Sequence, residues 1–130
     1  MHHTRLPWKK RSKIVGLSTM LFLLPAFRQG LSRNERLACV LQSYVSYLSD
    51  YRYAGRPHVS HGVDRLVASA NILWHFKRVF GTGYDFAAAL CYAMSMQCIT
   101  LKDRKAYELW HTLWHVAASL CLWQSKLVTH

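Results

Sequence analysis

Apolar residues gather in five blocks, at 14–27, 37–53, 63–80, 84–101 and 107–128. Breakers and charges fall between them. Arg33, Asn34, Glu35 and Arg36 precede the second block, Gly55 and Pro57 follow it, Gly81 and Gly83 follow the third, and Lys102, Asp103, Arg104 and Lys105 precede the fifth. No alternation of period two is sustained, so no strand is expected. Ser32 with Glu35 is a capping-box pair opening the second helix. The two glycines stop the third helix, and Asp85 sits near the start of the fourth. The pattern predicts an all-α chain, one domain over 1–130, with a basic tail at 1–13, five helices over the blocks and short loops.

The blocks are apolar nearly all round rather than striped, the mark of a membrane span or a deeply buried helix. A span needs about 20 such residues. The fourth and fifth blocks come close, the first needs Lys13 and Arg28 to snorkel at its ends, and the third keeps Asp64, Arg65, Lys77 and Arg78 near its ends. A soluble chain of 130 residues has too little interior to bury five such helices. An integral membrane bundle of about five transmembrane helices is therefore expected. The first block also reads as the apolar part of a signal peptide, but Pro25-Ala26-Phe27-Arg28 fits a small-residue cleavage site badly, so a retained span is expected. No acidic residue precedes Glu35, which keeps an organelle-targeting role open. The N-terminal tail and the second and fourth connectors hold most of the Lys and Arg, which places the N-terminus in the cytosol or its equivalent.

Composition narrows the class. The formal charge is +11, yet 52% of residues are hydrophobic and only 18% charged, which excludes a disordered basic tail. Six Gly and three Pro exclude a collagen-like chain. Mean hydropathy is −0.01, an average over basic clusters and apolar blocks. Nucleic acid is not the expected partner, because no basic stripe interleaves with aromatics on one element. Charge flanking membrane spans and attraction to anionic lipid heads explain the same excess. Cys39, Cys91, Cys98 and Cys121 are dispersed without a CxxC pair and read as small buried apolar residues.

Polar residues inside such blocks are functional candidates, because they are costly there. Ser43, Ser46 and Asp50 share one face of the second helix. Asp64, Ala68, Asn71 and His75 share a face of the third. His111 and His115, at i and i+4, put two imidazoles on one side of the fifth, where both can reach one zinc ion at about 2.0–2.1 Å. The segment lacks the Glu of an HExxH motif, so an acid or base must come from elsewhere. The second helix ends near Asp50, the third begins near Asp64 and the fifth begins just before His111. All three ends lie on one side of the bundle, so Ser46, Asp50, Asp64, His111 and His115 can meet at similar depth.

These marks resemble the CREST superfamily, the membrane proteins that include alkaline ceramidases, adiponectin receptors and myomaker-like proteins. Tyr107-Glu108-Leu109-Trp110-His111-Thr112-Leu113-Trp114-His115 is similar to the HxxxH of the family's last helix. Asp64 resembles the Asp opening its third helix, and Ser46-Tyr47-Leu48-Ser49-Asp50 resembles the Ser-xxx-His ending its second. The chain departs from the pattern in carrying Asp50 where the family has His, and in having room for about five helices where the family has seven. The resemblance implies zinc on Asp50, His111 and His115, with His58 or His61 as the alternative third ligand. It implies Asp64 as general base toward a zinc-activated water, Ser46 as a holder of the oxyanion, and a lipid amide or ester as substrate.

Other readings stand beside that one. Asp50 and Asp64 can cap helix ends, and the serines can serve close helix packing. A non-catalytic membrane subunit or scaffold of a larger complex, or a homo-oligomer, fits a small basic aromatic-rich chain. A haem protein using His75 and His115 as axial ligands is a weaker reading, and a soluble nucleic-acid binder is last.

Overall fold

The computed structural model describes residues 6–8, 11–27, 32–79 and 83–124. The described residues are all-helical, without strands. Helix α1, Lys13–Ser18, is opened by Ser12, whose Oγ accepts the Val15 N–H at 3.3 Å. After Ser18 the chain tightens into 3-10 turns at Thr19–Leu23 and Pro25–Phe27. Proline lacks the N–H that would continue an α-helix and starts a turn well, so the block at 14–27 is not one straight helix.

Helix α2, Arg33–Tyr47, begins where the capping pair placed it, with Ser32 Oγ accepting the Glu35 N–H at 3.2 Å. It runs on into a π-helical turn, Leu48–Arg52, closed by Tyr53 N–H donating to the Leu48 carbonyl at 2.8 Å. Helix α3, Ser60–Val79, starts earlier than the apolar block because His58 serves as its local anchor. The His58 ring stacks on Tyr53 at 3.5 Å, and its Nδ1 accepts the Ser60 N–H at 3.0 Å. Helix α4, Tyr84–Thr100, and helix α5, Arg104–Gln124, are joined by a tight turn in which Lys102 takes φ 57°. Asp103 Oδ1 accepts the Ala106 N–H at 3.2 Å and so opens α5 a turn before the apolar run. The expected end of that helix, at 125–128, lies outside the described residues.

The most extensive packing is α4 against α5, through Ala87, Ala88, Trp114, Ala117 and Cys121. Helix α2 packs on α3 and on the first 3-10 turn, while α1 and α3 both touch α5. Gly16 makes the α1 approach work, since a Cβ there would stand 2.5 Å from Tyr51 Cδ1 on the π-turn. Cys39, Cys98 and Cys121 are buried free thiols, as the sequence suggested, whereas Cys91, expected to be buried too, is a partly exposed free thiol.

The expected five spans are not found in this form: no helix among the described residues is long and apolar enough to cross a membrane. α4 is the most apolar but has only 17 residues, about 26 Å at 1.5 Å each, against a hydrocarbon core of about 30 Å. α3 and α5 are longer, but α3 carries Asp64, Arg65, Lys77 and Arg78, and α5 carries Arg104, Lys105, Glu108 and two histidines. The bundle nevertheless turns many large apolar side chains outward. Leu17, Phe27, Leu66, Leu73 and Phe86 are each more than 70% exposed.

Candidate metal centre

Asp50 is carried by the π-turn that ends α2, and His111 and His115 by consecutive turns of α5. A π-turn widens the helix locally, and such turns are common at functional sites. Here it presents Asp50 to α5. The Nε2 atoms of His111 and His115 both stand 3.0 Å from Asp50 Oδ2. The three candidate ligand atoms all lie within 4.8 Å of one another. His115 is 1% exposed and His111 5%, while Asp50 is partly buried, so the histidines are shielded and Asp50 is the most accessible of the three.

The donor set suits zinc, which accepts imidazole nitrogen and carboxylate oxygen. Tetrahedral ligands at about 2.0–2.1 Å from the ion stand roughly 3.3 Å apart. The two Asp50–histidine edges, at 3.0 Å, are within a few tenths of that value, and the His111–His115 edge is under 4.8 Å. A cavity of about 50 Å³, lined by Asp50, Asp64, Tyr107 and His111 among others, leaves room for a fourth, open position. His111 Nδ1 is buried and makes no hydrogen bond among the described residues. Its ring is instead held by stacking on Tyr107, centroids 4.9 Å apart, and lies edge-on to His115.

A second polar network stands beside the first. Ser46 Oγ–H donates to Asp64 Oδ1 at 2.6 Å. Gln42 Nε2–H donates to the same oxygen at 3.1 Å and to Ser46 Oγ at 2.8 Å. Asn71 Nδ2–H donates to Gln42 Oε1 at 3.2 Å, which fixes which way the Gln42 amide points. Asp64 lines the cavity it shares with Asp50 and His111. The sequence-derived residues Ser46, Asp50, Asp64, His111 and His115 thus do meet. Ser46 does so in a different posture from the one expected, because its hydroxyl hydrogen is given to Asp64 and not held out for an oxyanion.

The alternative third ligands are engaged elsewhere. His61 Nε2–H donates to the Arg56 carbonyl at 2.8 Å, and its Nδ1 accepts from Ser49 Oγ at 2.8 Å. His58 anchors α3 as described. Ser43 donates to the Thr19 carbonyl at 2.9 Å, a packing role. The side chain of His75 lies outside the described residues, and both His115 nitrogens already have neighbours in Asp50 and Ser18.

Sequence reasoning missed Gln42, Ser18 and Phe22. Gln42 lies one turn before Ser46 on the face already singled out, and a polar residue there was its signal. Ser18 stands 2.6 Å from His115 Nδ1, and Phe22 lies edge-on to the same ring at 5.5 Å. Gly16, Ser18 and Thr19 are small residues inside an apolar block, which was the only hint that something packs closely there.

No family model, no curated protein and no solved structure matches this chain.

Proposed function

We propose that the chain is a membrane-embedded hydrolase of the CREST type, using a zinc centre on Asp50, His111 and His115 to cleave a lipid amide or ester. The observation that carries the reading is the convergence of two imidazole nitrogens and one carboxylate oxygen, from α2's π-turn and α5, beside a carboxylate with its own donors. Two buried histidines sharing one oxygen far away in sequence are not a local capping arrangement.

Zinc in that position would supply Lewis acidity and bring the pKa of a water toward about 7. The rest falls to the chain. Asp64, with Oδ1 tied down by Ser46 and Gln42, keeps Oδ2 for the water proton and passes it to the departing amide nitrogen or ester oxygen. Water adds to the carbonyl carbon, the C–N or C–O bond breaks, and a fatty acid and an amine or alcohol leave.

Two features support a lipid substrate and a bilayer setting. The outward-facing Leu17, Phe27, Leu66, Leu73 and Phe86 would be costly in water. An apolar cavity of about 210 Å³, lined by Phe22, Ala68, Ala88, Ala89 and Trp114 among others, shares Trp114 with the polar cavity at the candidate centre.

The test is release of fatty acid from a panel of lipid amides and esters in vesicles containing the zinc-loaded protein. Turnover lost in Asp64→Asn with zinc content unchanged is the expected result. No release from any member of the panel by the wild type would overturn the hydrolase reading.

A further inference from the structure

The contact between Ser18 and His115 has a proton count that constrains the centre. Ser18 Oγ stands 2.7 Å from the Val15 carbonyl and 2.6 Å from His115 Nδ1. A carbonyl only accepts, so the Ser18 hydroxyl hydrogen goes to Val15. The chain tightens at this point, with the Thr19 N–H directed to the Gly16 carbonyl, which is why a side chain serves Val15. A hydroxyl has one hydrogen. The contact with His115 is therefore an Nδ1–H donated to Ser18 Oγ.

A neutral imidazole with its hydrogen on Nδ1 has a bare lone pair on Nε2. That lone pair faces Asp50 Oδ2 at 3.0 Å, another acceptor. Two acceptors at that distance call for a proton or a metal cation between them, and a metal ion takes this place in the zinc-loaded chain proposed above. Little water reaches the ring: His115 is 1% exposed, with Phe22 and His111 both edge-on to it.

We propose that Ser18 is a positioning residue of the metal centre: it accepts the Nδ1–H of His115 and so keeps Nε2 free for the ion. Metal-binding histidines are generally oriented in this manner by an acceptor on the other nitrogen. The inference rests on the zinc reading above and adds to it that α1 belongs to the centre. Ser18 is placed for this role by its surroundings. Ser43 ties the Thr19 carbonyl to α2, and Gly16 packs on Tyr51 of the same turn that carries Asp50.

The test uses the full chain in lipid nanodiscs and two readouts. In the first, zinc is titrated against the wild type, Ser18→Ala, Ser18→Thr and His111→Ala. Ser18→Ala is expected to lose about 10- to 100-fold in affinity, and Ser18→Thr, which keeps the hydroxyl, to stay close to wild type. The second readout needs no variant. Long-range proton–nitrogen spectra of ring-15N-histidine protein loaded with zinc are expected to show the His115 hydrogen on Nδ1. A hydrogen on Nε2 would overturn the inference even if Ser18→Ala does not fold. Wild-type affinity in Ser18→Ala together with loss in His111→Ala would sink the Ser18 role and leave the zinc reading standing. No zinc bound by the wild type would remove both.

Discussion

Two buried polar networks lie side by side in this bundle, and they differ in how their hydrogens balance. In the Gln42–Ser46–Asp64–Asn71 network every bond has a donor and an acceptor, from Asn71 to Gln42 and from Gln42 and Ser46 to Asp64. The bonds fix Asp64 Oδ1 through two donors, Ser46 and Gln42, and Asp64 lines the shared cavity. In the Asp50–His111–His115 group, one carboxylate oxygen faces two ring nitrogens at the same 3.0 Å, and His111 Nδ1 has no partner among the described residues. Buried polar groups are normally paired. The difference supports the proposed division of labour, with Asp64 handling protons and Asp50 with the histidines holding an ion.

The largest expected effect comes from breaking the second group. Asp50→Ala is expected to weaken zinc binding more than about 100-fold, beyond what loss of an orienting residue does. Isothermal titration with zinc reads it, and undiminished affinity would show that Asp50 is not a ligand. Chelation should have a matching consequence for stability. An ion held at 100 times its Kd stabilises the folded chain by about 2.7 kcal/mol, so removing zinc should lower the thermal midpoint of the wild type but not that of Asp50→Ala.

Breaking the first network should do the opposite. Gln42→Leu leaves Asp64 with one donor fewer and Asn71 without its acceptor, at a cost of about 1–3 kcal/mol. Zinc stoichiometry should stay at the wild-type level, which separates the two networks in one pair of measurements, thermal unfolding and metal content. Gly16→Ala sharpens the comparison from outside both. Its Cβ meets the Tyr51 ring at 2.5 Å, and overpacking costs about 1–3 kcal/mol. As Tyr51 shares the π-turn with Asp50, zinc affinity should fall along with the midpoint. The smallest effect is expected from Arg104→Ala. The pair with Glu108 is 4.0 Å apart and partly exposed, so stability should change by no more than about 0.5 kcal/mol.

The helical class and the candidate residues were legible in the sequence for specific reasons. His111 and His115 announce themselves because i and i+4 share a helix face, and Ser32 with Glu35 marks the start of α2 through a local hydrogen bond. Asp50 was reached by counting faces from Ser43 and Ser46, yet what presents it to α5 is a π-turn, which has no local sequence signature. The first block was read as one helix because its apolar run is continuous, and the 3-10 turns beginning at Thr19 depend on tertiary fit as much as on Pro25. Ser18 was not legible, since a serine in a helix usually returns its hydroxyl to its own backbone. It does so here, and the contact with His115 lies 97 residues away. The apolar runs predicted full-length spans, whereas no helix among the described residues is long and apolar enough to cross a membrane, since charges sit within those runs.

The most direct test is the metal content of the purified chain by elemental mass spectrometry, wild type beside His111→Ala. The account requires about one zinc per chain in the wild type and its loss in the variant. No metal in either would contradict the metal centre and leave the two histidines and Asp50 as a structural cluster between α2 and α5.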